Sequence, residues 1–184
     1  MEEKNDNDII QSVLEGDRDL YALLVDAYKG PIFTLAYRMT GSYEDADDLA
    51  QETFIRAFEN LGRFDQKRTF FTWLYTIGLN LVRNHVKRGK RISVLKDRED
   101  RHSPLRDTLS SPEHSMVSDQ MMGHLDICLH RLSENLKEAI VMRFYQELSF
   151  EDIAQISGLS LSAAKMRVYR GLEKLRELME EQTG

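Results

Sequence analysis

Residues 132–179 carry apolar side chains at helical spacing, interrupted by residues that begin or end helices. Ser133 precedes the first apolar stripe, which comprises Leu136, Ile140, Val141, Phe144 and Leu148. Ser149 then restarts a helix, with Asp152 placed to complete a capping box. Gly158 supplies the permissive backbone of a tight turn before another helix. This order predicts a helix-turn-helix in the C-terminal part of an otherwise helical chain.

The last helix of this unit has two chemically different faces. Its predicted packing face comprises Ala164, Val168, Gly171, Leu172, Leu175 and Met179. The opposite face is polar, cationic and aromatic, and comprises Ser162, Lys165, Met166, Tyr169 and Arg170. A major groove admits one α-helix, whose side chains then meet base edges and phosphates. The pattern favours a DNA-reading helix, and the alternative is a solvated helix surface of the common Lys- and Arg-rich kind.

The charge of the chain is unevenly distributed. The net charge is −6, yet residues 61–96 contain 9 basic side chains and a single acidic one, Asp65. Residues 1–60 contain 5 basic and 14 acidic side chains, and residues 97–184 contain 11 and 16. A basic central segment indicates a local surface for a polyanion, although the total charge is acidic.

Several classes of protein are disfavoured by simple features. No apolar run approaches membrane-spanning length, and the N-terminus lacks the pattern of a signal peptide, so we expect a cytoplasmic protein with no membrane insertion of its own. Cys128 is the single cysteine, which excludes an internal disulfide and predicts a small buried residue. We expect no metal and no cofactor, since the chain has no Gly-rich phosphate loop and no His-Glu-x-x-His motif.

The chain is predicted to be all-α, with two small helical domains joined by a flexible linker. Apolar spacing predicts helices near residues 6–15, 18–29, 31–40, 44–61 and 69–89. They are separated at Gly16-Asp17, Gly30-Pro31 and Thr40-Gly41 and by a loop around residues 63–68. Periodicity fails after Arg91, where charged residues and two Ser-Pro steps follow. The predicted domains are residues 1–91 and 120–184, with residues 92–119 as the linker.

Two N-terminal helices carry features suited to macromolecular partners. The helix near residues 44–61 has an outward acidic stripe, which favours a basic partner helix, with mere solvation as the alternative. The next helix combines Trp73 with amides and cations, after a charged loop at residues 63–69. Aromatic planes, amides and cations are suited to unstacked bases and a single-strand backbone, although such aromatics are more often core residues.

Taken together, these segments closely resemble the extracytoplasmic-function (ECF) sigma factors of the sigma-70 family. The resemblance rests on three segments in the right order: residues 45–57, residues 71–80 and the C-terminal helix-turn-helix. It implies that the acidic helix binds the clamp helices of the polymerase β′ subunit, through Asp45, Asp48, Gln51, Glu52 and Phe54. It also implies opening of the minus-10 element and capture of a flipped base by Arg63, Lys67, Arg68, Thr69, Trp73, Asn80, Arg83, Asn84 and Lys87.

The resemblance places the C-terminal helix at the minus-35 element, with Ser162, Lys165, Met166, Tyr169 and Arg170 at the major groove. Met166 departs from the family, because a hydroxyl often stands there, and this leaves the minus-35 sequence open. The sequence of the loop at residues 65–68 is also particular to this chain, so the resemblance leaves the identity of the flipped base open.

The expected function is therefore binding without catalysis: the chain directs core RNA polymerase, through its β′ and β subunits, to promoter DNA and helps to melt it. The resemblance also implies an anti-sigma factor as a partner. A self-standing DNA-binding regulator is the alternative, and tight promoter binding by the free protein would favour it. An enzyme is a more distant alternative, which a metal or nucleotide dependence would support.

Overall fold

The computed structural model describes residues 5–99 and 118–181, and every element in these ranges is helical. The first half contains α1 (Asp6–Leu14), α2 (Tyr21–Thr40), α3 (Tyr43–Glu59) and α4 (Phe70–Glu99). The second half contains α5 (Ser118–Arg131), α6 (Glu134–Ile140), α7 (Phe150–Ser157) and α8 (Leu161–Glu181). Two single turns, Arg18–Leu20 and Leu61–Arg63, precede α2 and follow α3. The all-α prediction is confirmed for the described residues.

The N-terminal domain is built on α2, α3 and α4, which all contact one another. Leu24, Leu35, Ala46 and Leu74 are completely buried between them. α2 and α3 form a hairpin, because Gly41 ends α2 in the left-handed conformation and the Ser42 side chain accepts from the Asp45 backbone N–H to begin α3. α1 adds Ile9, Ile10 and Val13 to the same core.

In the C-terminal domain α8 packs against α5, α6 and α7. α6 approaches α8 closely at Gly171, where a side-chain Cβ would lie 2.9 Å from Cγ1 of Ile140. Cys128 is fully buried beside Leu129, Leu175 and Leu178, as expected for a small core residue. α6 continues into a π-helical turn, Val141–Tyr145, whose Val141 and Met142 are fully buried.

The N-terminal helices differ from the sequence prediction in two places. The predicted break at Gly30-Pro31 is wrong, because α2 runs unbroken from Tyr21 to Thr40 with Pro31 inside it. Proline removes one backbone hydrogen bond, but Leu24, Ile32 and Leu35 anchor the helix to the core on both sides of it. The helix predicted for residues 69–89 corresponds to α4, and its predicted end is also wrong, since α4 continues to Glu99. Residues 100–117, most of the predicted linker, lie outside the described residues.

Three predictions for the C-terminal half are also corrected. Phe144 was placed in the apolar stripe but is 51% exposed, because the π-helical turn shifts the phase of the helix. Leu172 and Met179 were assigned to the packing face of α8, yet both are partly exposed and Leu178 is buried instead. Ser133 stands at the N-cap of α6, but its side chain makes no capping hydrogen bond.

Candidate nucleic-acid interface

The helix-turn-helix begins at a complete capping box. The Asp152 backbone N–H donates to Ser149 Oγ at 3.0 Å, and the Ser149 backbone N–H donates to Asp152 Oδ2 at 3.3 Å. Gly158 ends α7 with a φ of 67°, a conformation that most residues avoid. Ser160 then caps α8 by accepting from the Ala163 backbone N–H at 3.2 Å. These caps fix the direction in which α8 leaves the turn.

The N-terminal half of α8 presents an open face. All five residues predicted to read DNA there are exposed: Ser162, Lys165, Met166, Tyr169 and Arg170. Lys165 and Arg170 form no ion pair with any described residue. Further along the helix, Lys174 pairs with Glu177 and Arg176 with Glu180, both at 2.8 Å. Along α8, the cations of the C-terminal half are therefore paired with carboxylates, whereas Lys165 and Arg170 in the N-terminal half are not. The N-terminal half is the part of a recognition helix that meets DNA in the major groove.

A half-exposed ring supports this face. The Phe150 ring lies 6.2 Å from the Tyr169 ring, with the Lys165 ammonium 5.6 Å from its centroid and the Arg143 guanidinium 5.0 Å away. Cations over an aromatic face are attracted by its quadrupole. Phe150 therefore orients side chains of the reading face. The sequence alone assigns Phe150 only to the start of a helix and does not predict its contacts with the reading face. The signal that could have indicated them is an aromatic residue directly after the capping Ser149.

A polar cavity of about 360 Å³ opens between α3 and α4. It brings together four of the residues predicted to bind the minus-10 element: Arg63, Trp73, Asn80 and Asn84. Sequence reasoning missed four further lining residues, Arg56, Asn60, Ile77 and Leu81. The Asn60 side chain donates to the Arg56 backbone carbonyl at 2.8 Å, so these two residues form one wall of the cavity. An indole, several amides and two guanidinium groups then line a space large enough for a base.

The other residues predicted to bind the minus-10 element lie elsewhere. Lys67, Arg68 and Thr69 are exposed in the loop before α4, which is held by Asp65 through its side chain and backbone carbonyl. Lys87 is exposed about one turn beyond Asn84, the last residue of α4 that lines the cavity. Arg83 does not line the cavity, and its guanidinium donates from Nε and Nη2 to Glu138 of the C-terminal domain.

The acidic helix α3 lies beside an apolar groove. Asp48 and Gln51 are exposed, and Glu52 is half-buried and paired with Arg56 at 2.6 Å. Asp45 faces His85, whose Nε2 lies 3.5 Å from the carboxylate. Phe54, predicted to contact the polymerase, is only 7% exposed, because it packs into the core and its carbonyl accepts from the Tyr21 hydroxyl. It can contribute to the surface only as part of the groove wall.

This groove, of about 560 Å³, runs between α2 and α3. Its walls are Val25, Lys29, Gly30, Phe33, Asp47, Ala50, Gln51, Phe54 and Ile55. Ile55 is 54% exposed at its edge, which is unusual for a large aliphatic side chain beside an apolar depression. The groove is mostly apolar, with Lys29 and Asp47 as its charged residues. Asp45, Asp48 and Glu52 lie on α3 outside the groove lining and are called the acidic rim below.

The fold and these surfaces define a two-domain helical protein with an exposed cationic helix face on one domain and an indole-lined polar cavity and an apolar groove on the other. Comparison with family models agrees: residues 24–92 match sigma-70 region 2, and residues 128–177 match sigma-70 region 4. The chain is 34% identical over 179 residues to the ECF RNA polymerase sigma factor SigW of Bacillus subtilis, which covers 94% of this chain and 95% of SigW. The chain belongs to the ECF sigma factors of the sigma-70 family.

Solved structures share the fold. CnrH, solved in complex with the cytosolic domain of CnrY, superposes with a TM-score of 0.70 at 23% identity, over 94% of this chain and 96% of that one. The sigma factor RpoE of Bartonella quintana, solved with the anti-sigma factor NepR, gives 0.68 at 22% identity, over 87% and 96%. No helix among the described residues is both long and apolar enough to cross a membrane.

Proposed function

We propose that this protein directs core RNA polymerase to promoters, reading the minus-35 element with α8 and opening the minus-10 element with α4 and the loop before it. The observation that carries the proposal is the uncompensated cationic face of α8, formed by Lys165 and Arg170 beside Tyr169. In a helix face that is only solvated, we would expect the cations to pair with carboxylates, as Lys174 and Arg176 do with Glu177 and Glu180 further along the same helix. The polymerase supplies the chemistry of RNA synthesis, and this chain acts by binding.

Run-off transcription tests this function. Purified core polymerase and the full chain are mixed with fragmented genomic DNA, and discrete transcripts are expected that core polymerase alone does not produce. The free chain should bind duplex DNA poorly, because its net charge is −6 and its cationic surfaces are divided between two domains. A chain that yields no transcript but protects an operator tightly is instead a self-standing regulator.

The polymerase-docking surface is proposed to be the acidic rim and the groove beside it. Asp48, Gln51 and Glu52 offer carboxylates and an amide to a cationic partner, and Ile55 offers an apolar contact at the groove edge. Helical partners of this kind combine apolar anchors with complementary charge. The β′ clamp helices are the proposed occupant of this surface, and the β subunit is the proposed partner of the C-terminal domain. Asp45 belongs to the same rim.

The cavity between α3 and α4 is proposed to receive an unpaired base of the minus-10 element. Trp73 offers a stacking plane, and Asn60, Asn80 and Asn84 offer amides that both donate and accept hydrogen bonds. Extruding a base costs a few kcal/mol of stacking and pairing, which a preformed site offsets. Lys67, Arg68, Thr69 and Lys87 would then follow the single-strand backbone outside the cavity.

An anti-sigma factor is the proposed regulator, acting in the cytoplasm. RpoE of Bartonella quintana, which shares this fold, was solved with the anti-sigma factor NepR. An apolar groove with an acidic rim is exposed in the free chain and suits an amphipathic helix as well as it suits the polymerase. Competition between the two for one groove would keep the chain inactive until the anti-sigma factor is removed.

A further inference from the structure

Two exposed side chains with large apolar surfaces occupy the middle of the α8 face that is proposed to meet DNA. Met166 is 53% exposed and Tyr169 is 60% exposed. At ~100° per residue they lie about 60° apart around the helix axis, and the buried Ala164 and Gly171 lie on the opposite side. Neither Met166 nor Tyr169 therefore belongs to the core of the C-terminal domain. We call these two residues the apolar pair.

Cations lie on both flanks of the apolar pair. Lys165 and Arg170 are each displaced by about 70° from its midpoint, on opposite sides of the helix, at ~100° per residue. No acidic residue of α8 precedes Glu173, so about three turns of the helix carry no carboxylate. Cations along both edges suit the phosphates on the two walls of a major groove. The apolar pair between them then faces the base edges on the floor of that groove.

The tyrosine of the apolar pair is supported by α7. The Phe150 ring lies 6.2 Å from the Tyr169 ring, with an angle of 39° between the ring planes. Aromatic rings at this separation attract each other, so Tyr169 is partly ordered before DNA binds. Met166 lies three residues earlier, within side-chain reach on the same face, and its unbranched thioether can adapt to a neighbouring surface. The pair thus combines one supported ring with one adaptable chain.

The major groove offers one apolar group to such a surface, the C5-methyl of thymine. The other groups that distinguish the bases there are hydrogen-bond donors or acceptors. A thioether donates no hydrogen bond and accepts only weakly, so a base donor or acceptor buried against Met166 would lose its water without a replacement. A methyl group has no such cost and gains by leaving water. The chemistry of Met166 therefore favours thymine over the other three bases.

We infer that Met166 selects a thymine in the minus-35 element by contacting its C5-methyl group, with Tyr169 packed beside it. The inference rests on the proposed function and deepens it, because it names the base chemistry that α8 selects. Lys165 and Arg170 supply attraction to the DNA from the flanks, and Met166 supplies discrimination at one base pair. Removing the methyl group alone, without any change in base pairing, is therefore the perturbation that tests it.

Transcription by core polymerase with the full chain measures the methyl contact. Active promoters are selected from a library randomised in the minus-35 element, and each thymine of that element, on either strand, is replaced by deoxyuridine. Deoxyuridine lacks the methyl group but keeps every hydrogen-bonding group of thymine. At one thymine the replacement should lower initiation about fourfold, which corresponds to ~0.8 kcal/mol at about 1.4 kcal/mol per factor of ten. A selected element without thymine, or one in which no deoxyuridine lowers initiation, overturns the inference.

The variant Met166→Ser assigns the contact to this side chain. The ratio of initiation from the thymine promoter to initiation from the deoxyuridine promoter should fall to about one, because serine is too short and too polar to cover the methyl group. Met179→Ser is the matched control, since Met179 is also an exposed methionine of α8 but lies about 110° from the middle of the apolar pair, so the fourfold ratio should persist. A Met166→Ser chain that keeps the fourfold ratio overturns the inference.

Failure of the proposed function is recognised separately. Transcripts that form equally well from thymine and deoxyuridine promoters contradict only the methyl contact, whereas absence of transcripts on any DNA overturns the proposed function. In the second case the free chain is used to select duplexes from random DNA, because the methyl contact needs α8 in a major groove and not the polymerase. Deoxyuridine should then raise the Kd of the selected duplex about fourfold for the wild type and not for Met166→Ser. No selected duplex, or an unchanged Kd, overturns the inference there too.

Discussion

Replacing Gly171 by alanine tests whether the close approach of α6 and α8 is required for the C-terminal domain. A Cβ at this position would lie 2.9 Å from Cγ1 and 3.0 Å from Cδ1 of Ile140, and 3.3 Å from the carbonyl oxygen of Leu136. Alanine gains about 1 kcal/mol of helix propensity over glycine. Overpacking a close helix contact costs about 1–3 kcal/mol. Because the Leu136 carbonyl belongs to the backbone and cannot rotate away, we expect a net loss of up to about 2 kcal/mol.

Urea unfolding followed by circular dichroism measures this balance. Gly89→Ala is the matched control, because that glycine is also helical but has nothing within 4 Å of its Cβ position, so alanine there should stabilise the protein. Adding Ile140→Val to Gly171→Ala should recover part of the loss by removing the methyl group nearest the new Cβ. A Gly171→Ala protein that is more stable than wild type by the same amount as Gly89→Ala refutes the steric argument.

Three further predictions concern the binding surfaces. Reversal of Asp48 and Glu52 to lysine should abolish binding to core polymerase while the helical circular dichroism is unchanged, because both side chains reach solvent and a basic partner would be repelled. Arg170→Ala should weaken promoter use through the minus-35 element by about 1–3 kcal/mol if the contact is to a base edge, measured by transcription from templates with and without that element. Asn80→Ala should impair strand opening, and a template with a premelted minus-10 bubble should rescue it more than it rescues Arg170→Ala.

The first two of these predictions have matched control variants. Glu15→Lys reverses an exposed charge at the end of α1, which lines neither the groove nor the cavity, and should leave polymerase binding intact. Lys165→Ala should behave as Arg170→Ala does, whereas Arg176→Ala, which loses only an exposed intrahelical pair, should not affect the minus-35 element. Loss of polymerase binding with Glu15→Lys, or equal rescue of the Asn80 and Arg170 variants by the premelted bubble, would mean that these roles are wrongly assigned.

Local features of the fold were predictable from sequence because they depend on neighbouring residues. The capping box at Ser149 and the left-handed turn at Gly158 follow from side-chain reach and backbone sterics within a few positions. The exposed face of α8 followed from helical periodicity, which places Lys165 and Arg170 away from Ala164 and Val168.

Features that depend on distant contacts were not predictable in this way. Pro31 normally ends a helix, and only burial of both flanking segments keeps α2 continuous. Glu138 reads as one more surface acid of α6, since nothing near it in sequence reveals that Arg83, 55 positions earlier, will meet it. The shift of Phe144 to the surface comes from one π-helical turn, which periodicity cannot register.

The ion pair between Glu52 and Arg56 joins the two proposed binding surfaces of the N-terminal domain. Glu52 belongs to the acidic rim of α3, and Arg56, one turn later on the same face of that helix, lines the cavity between α3 and α4. If the proposed partners bind there, a partner cation that pairs with Glu52 would free the Arg56 guanidinium for a nucleotide in the cavity, and by reciprocity a nucleotide that binds Arg56 would free the Glu52 carboxylate for that partner. An exposed pair one turn apart is worth about 0.3–0.5 kcal/mol, so the cooperativity between the two ligands is about twofold. One helical turn can thus make the affinities for protein and nucleic acid depend on each other without any movement of the backbone.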